Sequence, residues 1–210
     1  MNPDFNIVAR PYDFISRLVF GNSLVEAQVS SLHVIRPDSH ILIIGGGTGW
    51  ILEEITKIHS SGLQISYVEN SSAMIDLSKK RNWQQNTVAF FHQPIQDFHI
   101  DKPFDVIITP FFFDLFKQDE IGLMFSGLDK KLKKNGLWLY TDFIPGKYQN
   151  RLWQKILIKT MYFFFGHISN VEAKELVDMD FYFKENYSKT SEQWFYRKFI
   201  RSIVYQKLSD

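Results

Sequence analysis

Short apolar runs alternate with longer stretches of helical spacing through the first two thirds of the chain. The apolar runs predict buried parallel strands at 40–44, 64–68, 87–92, 104–109 and 137–142. The stretches between them predict helices over 50–59, 73–81 and 118–133, with Ser71 or Ser72 capping the second and Asn135-Gly136 closing the third. This alternation predicts an α/β, Rossmann-like doubly wound sheet that is mostly parallel.

The two ends of the chain follow other patterns. Residues 7–32 show helical spacing with a break at Gly21-Asn22. After residue 146 we expect a long aromatic helix over 147–168, a shorter helix over 172–178, and an antiparallel edge pair from the runs 181–188 and 195–208. The whole is expected to be one seven-stranded domain with three parts: an N-terminal helical cap (1–37), a central core (38–145), and C-terminal lid helices with edge strands (146–210).

Composition narrows the class of protein. Hydrophobic residues make up 45% and charged residues 22%, which is typical of a globular domain, and the net charge of +1 gives no reason to expect nucleic-acid binding. The chain has no cysteine, which excludes disulfides, thiolate zinc sites and a cysteine nucleophile, and its histidines lack metal-ligand spacing. The apolar stretch 152–168 is too short to span a membrane and no leader pattern precedes it, so a cytoplasmic location is expected.

A glycine loop and an acidic residue carry the chemistry of the predicted core. Gly45, Gly46, Gly47 and Gly49 follow the first strand directly, and Glu69 ends the second strand. Glycines at a strand-to-helix turn let the backbone approach a ligand, and a carboxylate at the next strand end can accept hydrogen bonds from ribose hydroxyls. The dinucleotide fingerprint needs a third glycine where Trp50 stands. The pattern therefore favours an adenosyl ligand without a pyrophosphate.

Several motifs together resemble those of class I S-adenosylmethionine-dependent methyltransferases over about residues 8–142. They are the glycine loop 41–49, Tyr67-Val68-Glu69-Asn70-Ser71, the strand Phe104-Asp105-Val106-Ile107-Ile108-Thr109-Pro110, and the step Leu132-Lys133-Lys134-Asn135-Gly136-Leu137-Trp138-Leu139. The segment Ala9-Arg10-Pro11-Tyr12-Asp13 resembles the "A-x-x-Y-D" pattern of small-molecule, lipid or quinone methyltransferases. Each motif is weak alone, and their order along one chain is specific.

The resemblance implies S-adenosylmethionine as methyl donor, with S-adenosylhomocysteine as product and no metal. The residues implied to bind the donor are Gly45, Gly46, Gly47, Gly49, Glu69, Asn70, Met74, Gln93, Pro94, Thr109 and Tyr12. Phe111, Phe112 and Phe113 would wall the acceptor site, which implies a small, apolar or amphipathic acceptor. His92 and Asp114 are the candidates for a base, although Asp114 is expected to cap the helix that follows it.

Three alternatives remain open at this point. Ile43 stands where the family usually has an acidic residue, and Ile43-Ile44-Gly45-Gly46-Gly47 resembles aminopropyltransferases, although the Asp-rich loop of those enzymes is absent at 109–113. The others are a nicotinamide-dependent oxidoreductase and a non-catalytic ligand-binding or partner protein with this fold.

A row of cations recurs every four residues in the predicted C-terminal helix, at Lys147, Arg151, Lys155 and Lys159. Such spacing places the four side chains along one helical face. The face is either simply solvated or part of a lid that meets anionic lipid headgroups, in peripheral membrane contact, or an anionic acceptor.

Overall fold

The structure is a computed structural model that describes residues 6, 9–145, 152–168 and 176–209. One seven-stranded sheet has the order β3-β2-β1-β4-β5-β7-β6. Its strands are β1 (His40–Ile44), β2 (Ser61–Glu69), β3 (Gln85–His92), β4 (Phe104–Pro110), β5 (Leu132–Phe143), β6 (Tyr187–Phe195) and β7 (Ile200–Lys207). Strands β1 to β5 are parallel, β7 is antiparallel to β5, and β6 is antiparallel to β7. The predicted fold class, with its antiparallel C-terminal edge, is confirmed.

Helices cover both faces of the sheet, so the central strands are apolar on both sides. The helices are α1 (Ala9–Phe20), α2 (Ser23–Val29), α3 (Trp50–Ile58), α4 (Ser72–Ser78), α5 (Gln118–Lys131), α6 (Leu152–Ile168) and α7 (Asp180–Phe183). All five residues of β1 are buried. Leu42 and Ile44 join the hydrophobic cluster under α5 and α7, and Ile41 and Ile43 join the cluster under α3. This double burial is why β1 has no polar alternation.

The predicted end of the helix before β5 is wrong. Asn135-Gly136 does not close α5, which ends at Lys131, because the chain from Leu132 onward joins β5. Asn135 has the expected left-handed φ of 60°, but it lies inside β5, where the register with β4 shifts. An αL residue therefore serves here as a strand irregularity instead of a helix terminus.

The predicted strand over 181–188 is also wrong in its first half. Residues Asp180–Phe183 form α7, and β6 begins only at Tyr187. Met179 and Phe183 lie four residues apart and both pack into the core, where the ring of Phe183 stacks on Tyr205 at 3.8 Å between centroids. Residues 176–178 are not helical, and the rest of the predicted helix 172–178 lies outside the described residues, as do residues 147–151 of the long helix.

A third hydrophobic cluster holds α1 and α6 at the carboxyl edge of the parallel strands. Phe20 of α1, Phe143 of β5, Ile158 of α6 and Phe199 beside β7 are its buried members from each element. The N-terminal helical break at Gly21 is confirmed, with a φ of 59°. Helices α1 and α6 are therefore attached to the same edge of the sheet as the glycine loop.

Two structural features do not occur in the part of the chain that the structure describes. No helix in it is long and apolar enough to cross a membrane. Within the same residues, no group of three or more His, Asp or Glu side chains is arranged to hold a metal ion.

Candidate cofactor and acceptor site

The glycine loop leaves β1 in a conformation that only glycine adopts without strain. Gly45, Gly47 and Gly49 have φ values of 65°, 60° and 78°. A Cβ on Gly46 would lie 2.5 Å from the hydroxyl of Tyr67, and a Cβ on Gly49 would lie 2.5 Å from the Cβ of Ser78, whereas one on Gly47 would meet no atom within 4 Å. The loop is thus packed against β2 and α4 on one side and open at Gly47.

Glu69 connects this loop to the end of β2. Its side chain is 8% exposed, and its two carboxylate oxygens accept hydrogen bonds from the backbone N–H of Gly47 (3.2 Å) and of Ser71 (2.9 Å). Burial raises the pKa of Glu69 above its ordinary value, and the N–H donors oppose that rise. Each oxygen keeps acceptor capacity beyond these bonds, so the carboxylate can also receive hydroxyl donors.

The hydroxyl of Tyr67 completes this end of the loop by donating to the carbonyl of Gly47 at 2.9 Å. Ser71 caps α4, as expected, because its Oγ accepts the N–H of Met74 at 3.2 Å. The carboxyl ends of β1 and β2 and the start of α4 are therefore held together by hydrogen bonds between side chains and backbone groups.

Four residues predicted to bind the donor, together with the candidate base His92, lie at or just after neighbouring strand ends. Asn70 follows β2, and its carbonyl contacts Nε2 of the exposed His92 at 3.1 Å. Gln93 lies beside them, and its amide Nε2 donates to the carbonyl of Asp97 at 3.1 Å, within the short 3₁₀ turn that Pro94 precedes. Buried Met74 lies in the first turn of α4. The fold thus brings the five predicted residues to one region, since β2 and β3 pair in parallel register.

Two other residues, Thr109 and Tyr12, were also predicted to bind the donor. The hydroxyl of Thr109 lies in the core, where it accepts the indole N–H of Trp138 at 2.9 Å. Tyr12 belongs to α1, but its side chain lies outside the described residues.

An ionic contact that sequence reasoning missed fastens α1 to the glycine loop. Both carboxylate oxygens of Asp13 accept from Oγ1 of Thr48, at 3.0 and 2.9 Å. Arg81 donates from Nε to the carbonyl of Thr48 at 3.0 Å and from Nη2 to Asp13 at 3.4 Å. The Tyr12-Asp13 motif was the available signal, but only Tyr12 was assigned a role from it.

The three phenylalanines after β4 diverge. Phe111 has a φ of 49° and packs against Phe143 with ring centroids 5.0 Å apart. Phe112 lies under the loop, 3.1 Å from the position of a Cβ on Gly45, whereas Phe113 is buried in the core beside Trp138. Phe111 and Phe112 therefore border the cofactor edge, and Phe113 lies on its core side.

Asp114 is buried in the turn that follows and does not cap α5. The N-cap of α5 is Lys117, whose backbone N–H donates to Glu120 at 3.1 Å, so the capping expectation is wrong. Asp114 instead lies close to Asp142 of β5. Burial, reinforced by the charge of Asp142, raises the pKa of Asp114 well above its ordinary value.

Asp142 was not predicted, although an acidic residue inside the apolar run 137–143 was a visible signal. Its carboxylate accepts the N–H of Phe143 at 2.8 Å and the N–H groups of Phe113 and Asp114. Burial raises the pKa of Asp142 to about 7, against these donors and the charge of Arg201. Two coupled acids therefore share the space between the ends of β4 and β5.

Comparison with known proteins supports this arrangement. Residues 41–136 match a family model described as a methyltransferase domain. The N-methyltransferase NodS from Bradyrhizobium japonicum WM9, solved with S-adenosyl-L-homocysteine, is 11% identical, with 89% of this chain and 84% of NodS covered and a TM-score of 0.63. The cyclopropane synthase MmaA2 from Mycobacterium tuberculosis is 13% identical over 89% of this chain and 84% of its own, with a TM-score of 0.66.

DhpI, solved with SAH, is 14% identical over 98% of this chain and 94% of its own, with a TM-score of 0.66. At these identities the structural likeness shows the fold. No curated protein matches the chain in sequence. The matched domain spans the glycine loop, Glu69 and strands β1 to β4. Residues 41–136 therefore match a methyltransferase domain, and the seven-stranded fold around them is the fold of these solved methyltransferases.

Proposed function

We propose that this chain transfers the methyl group of S-adenosylmethionine to a small, apolar or amphipathic acceptor, with Glu69 and the glycine loop holding the donor. The position of Glu69 carries the proposal. It is a buried carboxylate at the end of β2 that accepts the N–H of Gly47 at 3.2 Å, beside the one loop glycine where a Cβ would meet nothing. This arrangement fits the ribose hydroxyls of an adenosyl ligand.

Bound S-adenosylmethionine supplies a methyl group on a sulfonium that is already activated. The protein then has to orient donor and acceptor and exclude water, and such alignment can supply roughly 7–11 kcal/mol. Gly47 and Glu69 would orient the donor. Phe111 and Phe112 would shield the acceptor side with apolar rings, because Phe112 lies beside Gly45 and Phe111 packs on Phe143 at the end of β5.

An acceptor oxygen or nitrogen also has a proton to lose, and Asp114 is the better placed of the two candidate bases. It follows Phe112 at the end of β4, whereas His92 is exposed at the end of β3 and bonded to Asn70. Burial raises the pKa of Asp142 to about 7 and that of its neighbour Asp114 well above its ordinary value, so the pair can hold and exchange a proton at ordinary pH.

The same acidic pair favours a second candidate, aminopropyl transfer, because that reaction needs acidic residues near an amine acceptor. Against it stands the apolar loop 111–113, and the methyltransferase family model matches the core.

Calorimetry with S-adenosylmethionine, its decarboxylated form and NAD separates the candidates. We expect the first to bind most tightly. Tighter binding of the decarboxylated form would move the assignment to aminopropyl transfer, and preference for NAD would move it to an oxidoreductase.

The donor site is tested by Glu69→Gln, with Glu54→Gln on the surface of α3 as the matched control. We expect Glu69→Gln to weaken S-adenosylmethionine binding on the order of 100-fold, since hydrogen bonds to a charged group contribute about 1.5–3 kcal/mol each. Glu54→Gln should bind as the wild type does. Equal affinity of Glu69→Gln and wild type, both folded by circular dichroism, would remove Glu69 from the site.

Acceptor class is tested with isotope-labelled methyl donor and a cell extract separated into organic-soluble and aqueous fractions. We expect the label in the organic-soluble fraction. Label confined to the aqueous fraction would overturn the apolar acceptor, and no labelled product in either would favour a non-catalytic protein.

A further inference from the structure

Three elements form one continuous surface beside the proposed acceptor site. They are α1, α6 and the turn between β6 and β7, and all of them pack on the third hydrophobic cluster. The hydroxyl of Tyr196 in the turn donates to the carbonyl of Val19 in α1 at 2.8 Å. Trp153 of α6 packs on the rings of Tyr196 and Phe199, at 5.7 and 5.4 Å between centroids. Phe111, which borders the acceptor site, belongs to the same cluster.

Large apolar side chains project from this surface into solvent. Phe14 and Leu18 lie four residues apart on α1, and Leu152 and Ile156 lie four apart on α6, so each pair occupies one helical face. These four side chains are between 56% and 76% exposed. Because none of the four is buried inside the protein, they leave an exposed apolar area, and such an area usually marks an interaction site.

Cations accompany these apolar residues. The exposed basic residues on the same three elements are Arg17, Lys155, Lys159, Arg197 and Lys198. Among residues 13–20, 152–160 and 194–198 the single acid is Asp13, whose carboxylate is bonded to Thr48 and Arg81. The whole chain carries a net charge of only +1, so positive charge is concentrated here. Lys147 and Arg151 of the predicted cation row lie outside the described residues.

We propose that this surface binds the headgroup region of an anionic lipid bilayer, with the cations on lipid phosphates and the four apolar side chains in the acyl boundary. Lysines and exposed apolar residues on elements that pack on one hydrophobic cluster suit an interface of this kind. Protein–protein interfaces, by contrast, are depleted in lysine. The inference rests on the proposed function in one respect: an apolar acceptor would reach the site directly from the bilayer.

Co-sedimentation with vesicles tests the surface without any donor or acceptor. The wild-type chain should sediment with mixed phosphatidylcholine–phosphatidylglycerol vesicles, remain in solution with pure phosphatidylcholine, and be released by salt. The double variant Lys155→Glu with Lys159→Glu should bind the mixed vesicles at least about tenfold more weakly, since each surface cation contributes about 1 kcal/mol. Leu18→Ser with Ile156→Ser should also bind more weakly.

Matched controls use exposed residues elsewhere. Lys79→Glu with Lys80→Glu at the end of α4, and Leu123→Ser on α5, should bind the vesicles as the wild type does. An equal loss of vesicle binding in the Lys79 and Lys80 variant would show that binding depends on overall charge and not on the defined surface, and would overturn the proposal. So would equal sedimentation with neutral vesicles, or a dimer in sedimentation equilibrium that Leu18→Ser with Ile156→Ser dissociates.

Calorimetry with S-adenosylmethionine keeps this test separate from the proposed function. The surface variants should keep wild-type affinity for the donor. If the wild-type chain does not bind the donor, the proposed function is contradicted. If it binds the donor but not the vesicles, only the proposed lipid-binding surface is contradicted.

Discussion

Two buried carboxylates, Glu69 at the end of β2 and Asp142 near the end of β5, stand at opposite sides of the site. Both accept backbone N–H groups from the loops around them, and burial raises the pKa of both. Their neighbours differ. Glu69 faces glycines and backbone donors, whereas Asp142 faces a second buried acid, Asp114, and the rings that follow β4.

This contrast shows that the donor and acceptor sides are built by different means. The proposed donor side depends on backbone conformation at the loop glycines and on close packing around Gly46 and Gly49, where an added Cβ would clash. The acceptor side depends on side-chain packing and on a charge balance that shifts with pH. Substitutions should therefore act sterically on the first side and electrostatically on the second.

The largest effect is expected from Gly49→Ala. The new Cβ would lie 2.7 Å from the backbone Cα of Ser78 at a φ of 78°, so overpacking and strain together should lower the free energy of unfolding by about 2–5 kcal/mol. Gly47→Ala is the control, because its Cβ meets nothing and only about 1–2 kcal/mol of strain applies. Urea unfolding measures both. Equal losses would mean that the close contact with α4 does not distinguish the two glycines.

On the acceptor side, Asp114→Asn should change how stability depends on pH. Burial raises the pKa values of both acids, so the native state favours their protonated forms, and that stability is present below about pH 4 and lost as pH rises through about 7. Removing one acid should therefore raise Tm relative to wild type between pH 5 and 8, and the difference should widen as pH rises through the pKa of Asp142, about 7. Asp76→Asn, an exposed control on α4, should follow the wild-type curve. Parallel curves for Asp114→Asn and wild type would refute the coupled pair.

The smallest effect is expected where α1 meets the donor side. Asp13 and Arg81 lie 3.4 Å apart with side chains 36% and 28% exposed, so solvent weakens their attraction. A double-mutant cycle with Asp13→Ala and Arg81→Ala should give a coupling of about 0.2–1 kcal/mol in chemical unfolding. Additive effects would show that Thr48, not Arg81, holds Asp13 against the glycine loop.

Sequence reasoning succeeded where local patterns decide the structure. The apolar run of β1, the glycines after it and the acidic end of β2 each have a signature within a few residues, and their places were predicted. It failed at α7 and Asn135 because tertiary packing overrode local preference. Thr109 illustrates a third case, since its position at the strand end was predicted but its hydroxyl bonds to Trp138, 29 residues away.

The sequence by itself determined the alternating fold, the glycine turn and the carboxylate that faces it, because these follow from periodicity and from backbone angles that few residues can adopt. Only the tertiary structure decided that Asp142 meets Asp114, that Asp13 reaches Arg81 across 68 residues of chain, and that α1 and α6 share one basic, apolar surface. Contacts of that kind depend on strand order and on packing between distant segments, and no local pattern in the chain encodes them.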